Sequence, residues 1–173
     1  MRIVVTGRQG QVVTSLIERA PAAGIEVVAV GRPELDLADA GSVRRALETV
    51  RPDVIVSAAA YTAVDKAESE PALARTLNAT APGVVAREAA ALGAWLVHST
   101  DYVFAGDKAE PYLETDPTGP VSAYGRSKLE GERRVASATA NHAILRTAWV
   151  YSPFGANFLK TMLRLAETRD ELR

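Results

Sequence analysis

Short, uninterrupted apolar runs alternate along this chain with longer segments of helical periodicity. Five such runs predict strands, at residues 3–5, 27–30, 54–56, 95–97 and 143–145. Strands that are apolar on both faces must be covered on both faces, so the pattern predicts a parallel sheet with helices on either side. Right-handed crossovers then give a doubly wound, Rossmann-like α/β domain.

Helical periodicity predicts the segments that cover this sheet. They are expected at residues 11–20, 42–50, 71–92, 122–138 and 157–167. Pro21 and Gly24 are expected to end the first helix, and Pro82 to break the third. The irregular stretch 101–121 is longer than most connections in a compact domain, and a loop of that length is often functional. The length of 173 residues suits one domain, residues 1–173.

Composition excludes several classes of function. Lys and Arg total 20 against 21 Asp and Glu, so no basic excess indicates a nucleic-acid binder. The absence of cysteine excludes disulfides, thiolate zinc sites and a cysteine nucleophile. The two histidines, His98 and His142, are too few and too far apart in the sequence to indicate a metal site by themselves. No apolar run is long enough for a membrane span, and the first strand leaves no room for a signal peptide. We therefore expect a cytoplasmic protein without nucleic-acid or membrane partners.

The segment between the first strand and the first helix, TGRQGQVV at residues 6–13, has the pattern of a dinucleotide-binding loop. Gly7 allows the tight turn, and Gly10 lets a pyrophosphate approach the backbone near the helix N-terminus. Val13 replaces the usual third glycine, which serves close packing of helix on strand, so the first helix is expected slightly farther out. An ordinary glycine turn of an α/β protein is the alternative interpretation.

The end of the second strand bears on the choice of cofactor. The carboxylate that binds the ribose in NAD enzymes is missing here, and Arg32 stands after the strand. Arg32 could pair with the 2′-phosphate of NADPH, which favours NADPH over NADH. A solvated surface arginine is the alternative, and NADH stays open.

Tyr124 and Lys128 are four residues apart in a predicted helix, so both side chains lie on one face about one turn (~5.4 Å) apart. A free tyrosine has a pKa of about 10, and a nearby ammonium lowers it by stabilising the phenolate. The pair suits proton transfer to a carbonyl oxygen as hydride reaches its carbon, and Lys128 can also bind the cofactor ribose. A chance Tyr and Lys on an amphipathic helix is the alternative.

A hydroxyl just beyond the fourth strand completes the predicted constellation. Thr100 follows that strand, where open α/β sheets bind ligands, and it can polarise a substrate carbonyl. Ser99 is the competing hydroxyl, and hydrogen bonding of either hydroxyl to the backbone is the alternative.

Four motifs give the chain its resemblance to a known family. They are AAAYTAVDKAESEP at 58–71, NAT at 78–80, STDYVF at 99–104 and RTAWVY at 146–151. With them the chain resembles the extended short-chain dehydrogenase/reductases and, among these, the dTDP-4-dehydrorhamnose reductases. The first motif is specific to that group, whereas the glycine loop and the Tyr/Lys pair are shared by the superfamily.

The resemblance implies NAD(P)-dependent reduction of a dTDP-linked 4-keto-6-deoxy sugar, dTDP-4-dehydro-6-deoxy-L-mannose, at C4 to give dTDP-L-rhamnose. It implies catalysis by Thr100, Tyr124 and Lys128, and substrate contacts from Thr100, Asp101 and Trp149. The expected cofactor contacts are Gly7, Gly10, Gln11, Val12, Arg32, Asp36, Leu37, Ala58, Ala59, Ala60, Tyr61, Thr62, Ser99, Tyr124 and Lys128. Asp101 can accept sugar hydroxyls, and Trp149 can cover an apolar ring face. A loop-capping carboxylate and a core indole are their alternatives.

The resemblance leaves other points open. The family continues past position 173 into a substrate-binding lobe, so we expect a fragment or truncated chain in which cofactor binding survives better than turnover. A homodimer is one assembly that the resemblance allows. The magnesium that some members use at a dimer contact has no counterpart that this sequence identifies. A catalytically silent NADP-binding regulatory module and a related epimerase or dehydratase are the alternative functions, and fold alone does not choose among them.

Overall fold

The computed structural model of this chain describes residues 1–98, 100, 102–169 and 171, and its centre is one parallel sheet. The strands are β1 (Arg2–Thr6), β2 (Glu26–Val30), β3 (Val54–Val56), β4 (Trp95–His98) and β5 (His142–Ile144). Their order across the sheet is β2-β1-β3-β4-β5, and all neighbours pair in parallel. This order and direction confirm the predicted doubly wound α/β fold.

The strand order reverses direction next to β1. The chain moves outward from β1 to β2, then returns to place β3 on the other side of β1, with Val4 opposite both Val28 and Ile55. In open sheets of this kind, ligands bind at the carboxyl ends of the two strands that flank the reversal. The fold therefore predicts a ligand crevice beyond the ends of β1 and β3.

Seven α-helices connect or follow the strands in the described part of the chain. They are α1 (Gln11–Arg19), α2 (Ala40–Val50), α3 (Lys66–Ser69), α4 (Pro71–Arg75), α5 (Ala81–Leu92), α6 (Ala123–Ala138) and α7 (Phe158–Ala166). A 3₁₀ turn, Ala20–Ala23, extends α1, and Gly24 closes it with a φ of 67°. The predicted helices agree with this list to within about two residues at their ends, except at 71–92; α3 was not predicted.

The predicted helix at 71–92 is a continuous rod with a local widening. Helix α4 runs into a π-turn, Thr76–Thr80, and α5 follows with Pro82 near its start. Proline has no N–H for the helical ladder, and single π-turns are often found at functional sites. We expected a break at Pro82, whereas the structure has a continuous helix with a π-turn just before that residue.

The core lies between the sheet and the helices that cover it. Val4, Ile55 and Leu96 contribute one fully buried side chain from each of three neighbouring strands. Leu47 of α2 and Val85 of α5 pack in the same cluster. Burial of these five side chains alone is worth about 2 kcal/mol each. No helix in the described residues is long and apolar enough to cross a membrane.

Candidate active site

The loop after β1 is built on two glycines. Gly7 has a φ of 107°, which favours glycine, and its N–H donates to the carbonyl of Val30 at 2.7 Å. Gly10 is the N-cap residue of α1 and has no side chain that could cap the first turn. The amides of that turn carry the positive end of the helix dipole, so the loop suits a phosphate group.

Val13, in the place of the third glycine, is buried beneath this loop. A Cβ built on Gly7 would lie 3.4 Å from its Cγ2, and one built on Gly10 would lie 3.9 Å from it. Val13 is 2% exposed, so it fills the space under the turn. The predicted outward shift of α1 stays a prediction.

Gln11 joins the glycine loop to a distant segment, a role that sequence reasoning missed. Its Nε2 donates to the carbonyl of Val150 at 3.2 Å. Its Oε1 accepts from the Ser152 hydroxyl and from Asn157 Nδ2, both at 3.0 Å. Val12, the next residue, is exposed. The side chain of Gln11 therefore supports the fold, and its backbone is what remains for a phosphate.

The loop after β3 lies beside the glycine loop at the reversal of the sheet. The N–H of Ala59 donates to Thr6 Oγ1 at 3.0 Å, which ties the ends of β1 and β3 together. Ser57 is buried, and its hydroxyl has no hydrogen-bond partner among the described residues. A buried hydroxyl of this kind calls for a ligand or water. The residues at the reversal thus fit a bound dinucleotide.

Asn78, in the π-turn, holds this loop to helix α6. Its Oδ1 accepts from the N–H of Tyr61 at 2.8 Å, and its Nδ2 donates to the Tyr61 carbonyl at 3.0 Å. Nδ2 also donates to the Ser127 hydroxyl at 3.1 Å, which in turn donates to the carbonyl of Tyr124 at 2.7 Å. The motif at 78–80 is thereby a link between the cofactor-side loop and the predicted catalytic helix.

The phenol of Tyr61 is held by a charged pair. Its hydroxyl donates to Glu70 at 2.7 Å, and Lys66 binds the other oxygen of that carboxylate at 2.8 Å. The hydrogen bond to Glu70 raises the pKa of Tyr61. With backbone and side chain both fixed, the segment of Ala60, Tyr61 and Thr62 is a rigid edge beside the glycine loop.

Helix α6 begins at Ala123, one residue before the predicted catalytic tyrosine, and is anchored there from two sides. The hydroxyl of Ser122, its N-cap residue, accepts from the N–H of Gly125 at 3.0 Å. Glu68 accepts from the N–H of Ala123 at 2.6 Å. Tyr124 is 8% exposed, and its ring meets that of Tyr102 edge-on at 5.3 Å. These contacts place Tyr124 against the segment that follows β4.

Lys128 lies one turn beyond Tyr124 on α6 and is only 2% exposed. Burial lowers the pKa of Lys128 from 10.5 to about 8, and the negative charge of Glu132 opposes this shift. At neutral pH the ammonium form therefore still predominates. A charged amine in a dry position next to a tyrosine is an arrangement that stabilises a phenolate.

Thr100 follows β4 directly and is buried, at the edge of the sheet where ligands bind. Tyr102, two residues on, contacts the ring of Tyr124, so the strand-end segment and the start of α6 are neighbours. Ser99 and Asp101, the other two predicted residues here, lie outside the described residues.

The segment after β2 holds the predicted Arg32 and one residue of an ion pair that was not predicted. Arg32 is exposed, and Arg8 of the glycine loop pairs with Glu34. The adjacency of β1 and β2 was the signal that could have identified this pair. Asp36 accepts from the N–H of Ala38 at 2.9 Å in a local turn. Leu37 packs against the core, partly buried.

A groove of about 860 Å³ lies beyond the ends of β4 and β5. Four of its lining residues are aromatic, Tyr102, Phe104, Tyr112 and Trp149, and the others include Leu113 and Arg146. Trp149 is 69% exposed in this chain, so its indole is not part of the core described here, and its ring meets that of Phe158 edge-on at 4.7 Å. An open, aromatic cleft next to Tyr102 suits a sugar or a base.

Carboxylates and imidazoles are not gathered into a cluster that could hold a metal ion anywhere in the described ranges.

Comparison with known families matches the whole chain. The model of the RmlD substrate binding domain matches residues 1–173. The dTDP-4-dehydrorhamnose reductase of Sinorhizobium fredii is 55% identical over 173 residues, which are 99% of this chain and 58% of that protein. The chain therefore spans less than two thirds of this curated relative.

Two solved structures share the fold closely. A dTDP-4-dehydrorhamnose reductase from Clostridium acetobutylicum has a TM-score of 0.94 at 40% identity, over 99% of this chain and 61% of the other. The enzyme of the same name from Bacillus anthracis, in complex with NADP, has a TM-score of 0.94 at 38% identity, over 99% and 62%.

Proposed function

Because the chain belongs to the RmlD substrate-binding-domain family, we propose that residues 1–173 form the NAD(P)-binding domain of a dTDP-4-dehydrorhamnose reductase. The reaction is hydride transfer to C4 of dTDP-4-dehydro-6-deoxy-L-mannose, giving dTDP-L-rhamnose. One observation carries the chemistry: an ammonium buried one turn from Tyr124, at the edge of the sheet that binds ligands. The names of the relatives supply the substrate.

The chemical roles follow from the positions of three side chains. When bound, the nicotinamide cofactor supplies the hydride. The hydroxyl of Tyr124 donates its proton to the sugar oxygen as the C4 carbonyl becomes an alcohol, and the ammonium of Lys128 stabilises the phenolate that remains. Thr100 donates a hydrogen bond to the same oxygen and holds the carbonyl in place. Lys128 also binds the ribose of the cofactor.

The cofactor is held along the ends of β1, β2 and β3. The backbone of Gly7, Gly10, Gln11 and Val12 takes the pyrophosphate, and the unpartnered hydroxyl of Ser57 lies at the reversal between the strands. The remaining predicted contacts are Asp36 and Leu37 at the adenine, and Ala58, Ala59, Ala60, Tyr61, Thr62 and Ser99 nearer the nicotinamide. Support for a nicotinamide cofactor comes from the NADP bound to the Bacillus anthracis enzyme.

NADPH is the preferred form in this proposal, because Arg32 and the Arg8–Glu34 pair stand where the 2′-phosphate is expected. Arg32→Ala should raise the KM for NADPH about tenfold and leave that for NADH unchanged. Equal changes in the two KM values would refute the role of Arg32.

The sugar nucleotide occupies the groove beyond β4 and β5, with Thr100 and Asp101 at the reacting end and Trp149 over the sugar ring. The groove is open and aromatic, which suits the stacking of such a ligand. The homodimer that the resemblance allows stays a prediction.

The decisive test compares Tyr124→Phe with the parent chain. With NADPH and the 4-keto sugar nucleotide, loss of NADPH absorbance should slow by about 10²–10⁴-fold, whereas the Kd for NADPH should stay unchanged. Tyr151→Phe, which alters an exposed tyrosine, is the matched control. Turnover that survives Tyr124→Phe would reject the proton-donor role. NADPH binding without turnover in the parent chain would support the expectation that a chain spanning 58% of its relative lacks the substrate-binding lobe.

A further inference from the structure

Arg146 follows β5 and forms a forked ion pair with helix α6. Its Nε donates to Glu132 Oε1 at 3.1 Å, and its Nη2 donates to Glu132 Oε2 at 2.8 Å. The side chain of Glu132 is 4% exposed and that of Arg146 is 22% exposed. Glu132 stands one turn beyond Lys128, on the helix that also carries Tyr124.

The same guanidinium contacts the irregular segment that lines the groove at two points. It lies over the ring of Phe104, with 4.9 Å between its Cζ and the ring centroid, and Nη1 donates to the carbonyl of Glu114 at 3.4 Å. Phe104 is stacked in turn on Tyr112, with ring centroids 4.3 Å apart. We refer to this stacked pair, Phe104 and Tyr112, as the groove wall.

The groove wall is tied down at its outer end as well. The phenol oxygen of Tyr112 accepts from the backbone N–H groups of Gly106 and Asp107 at 2.9 and 3.0 Å, and its hydroxyl donates to Asp107 Oδ1 at 2.9 Å. Besides Arg146, the wall is attached through this small turn and through Lys108, whose Nζ lies 5.8 Å from the centroid of the Tyr112 ring.

We propose that Arg146 is a positioning residue: held by Glu132, it fixes the groove wall to the helix that carries Tyr124 and Lys128. This inference rests on the proposed function, because it concerns the groove that would take the sugar nucleotide. Through Arg146, the wall and the catalytic helix move as one body, so a sugar that stacks in the groove arrives in register with the proton donor. A misplacement of about 1 Å at a reacting group is enough to slow a reaction by about a hundredfold.

The geometry distinguishes this pair from another Arg–Glu pair that involves the same helix. Arg134 donates through two nitrogens to one oxygen of Glu130, and it packs against Gly83 of α5. Glu130 is also bound by Arg75 of α4 at 2.8 and 2.7 Å. Of the two pairs, Glu132–Arg146 is the one that joins α6 to the groove wall, so the Glu130–Arg134 pair provides a control, in which Arg75 also loses its contact with Glu130.

The test replaces both members of each pair, because removing one partner alone would leave a buried charge. Glu132→Leu with Arg146→Met is compared with Glu130→Leu with Arg134→Met by hydrogen–deuterium exchange. We expect the first double variant to exchange the amides of residues 102–121 about tenfold faster than the parent chain, with β1 and α1 unchanged. The control variant should leave the exchange of 102–121 as it is.

A second measurement tests the consequence for the ligand. The groove-side double variant should raise the KM for the sugar nucleotide about tenfold. The single variant Arg146→Lys keeps Glu132 beside Lys128 and should raise that KM almost as much, with the Kd for NADPH unchanged, because lysine lacks the planar fork. Unchanged exchange in 102–121 would overturn the positioning role whether or not the parent chain turns over. A parent chain that does not bind NADPH would instead count against the proposed function.

Discussion

The edge of the sheet has a cofactor side, at the ends of β1 and β3, and a groove side, at the ends of β4 and β5. The two sides differ in the residue types that form them. Residues 7–10 and 57–62 present glycines, alanines and backbone amides, held by short bonds such as Ala59 to Thr6. The groove presents aromatic rings on irregular chain, held by stacking and by one guanidinium. The first side is held through its backbone amides, which donate to the side chains of Thr6 and Asn78, whereas the second depends on ring and guanidinium contacts between distant positions. Substitutions should therefore act differently on stability and function on the two sides.

The largest effect is expected at Lys128, which stands between the two sides. Lys128→Met should lower turnover by about 10²–10⁴-fold. The lowered pKa of Lys128 means that the unfolded chain binds its proton more tightly between pH 8 and 10.5. Stability of the parent chain therefore rises with pH across that window, and the variant should be more stable below pH 8 by up to roughly 3 kcal/mol.

Urea unfolding at pH 7 and at pH 10 measures this difference, which should shrink at the higher pH. Lys66→Met is the matched control, because Lys66 is exposed and forms only a surface pair with Glu70. A Lys128→Met variant that is less stable than the parent at pH 7 would contradict the prediction. Burial of Lys128, on the helix that joins the two sides, would then stabilise the fold instead of destabilising it.

A smaller effect, on stability and cofactor binding together, is expected at Asn78. Asn78→Ala leaves the N–H and the carbonyl of Tyr61 and the hydroxyl of Ser127 each without this partner. The free energy of unfolding should fall by about 3 kcal/mol in total, since a buried unpaired group costs about 1–3 kcal/mol. The Kd for NADPH should rise in titrations, and the exposed Asn141→Ala should change neither. Loss of stability without loss of NADPH affinity would show that Asn78 stabilises the fold but does not support cofactor binding.

The smallest effect on stability is expected at Trp149, on the groove side. The indole is mostly exposed, so Trp149→Ala should change the free energy of unfolding by no more than about 0.5 kcal/mol. The KM for the sugar nucleotide should nevertheless rise about tenfold, because stacking on an aromatic ring contributes about 1–3 kcal/mol. Tyr151→Ala, another exposed aromatic, is the control. A large loss of stability would show that the groove is held together like the core.

The strands and the turn of the cofactor side could be predicted from the sequence because their signals are local. Apolar runs predicted all five strands, and Gly7 and Gly10 stood where a turn and a helix start require them. Helix α3 was missed because four residues are too few for a periodic pattern. The irregularity in this helix was predicted at Pro82, but the structure has it at 76–80, because a proline is visible in a sequence and a π-turn is not.

The groove side could be predicted only in part because its contacts join distant residues. The exposure of Trp149, left open by its apolar surroundings in the sequence, depends on how the chain turns after β5. The pairing of Arg146 with Glu132 needs the placement of α6 beside β5, which no spacing reveals. Tyr124 and Lys128 were identifiable because their relation is set within one helix.

The carboxamide of Gln11 sets an order of assembly for the molecule. Its contacts with Ser152 and Asn157 span 141 and 146 positions of the chain. Closing so long a loop is entropically unfavourable until the intervening strands are in place, so these contacts form late in folding. We therefore expect segment 150–157 to become attached to the first helix after the sheet between them has formed.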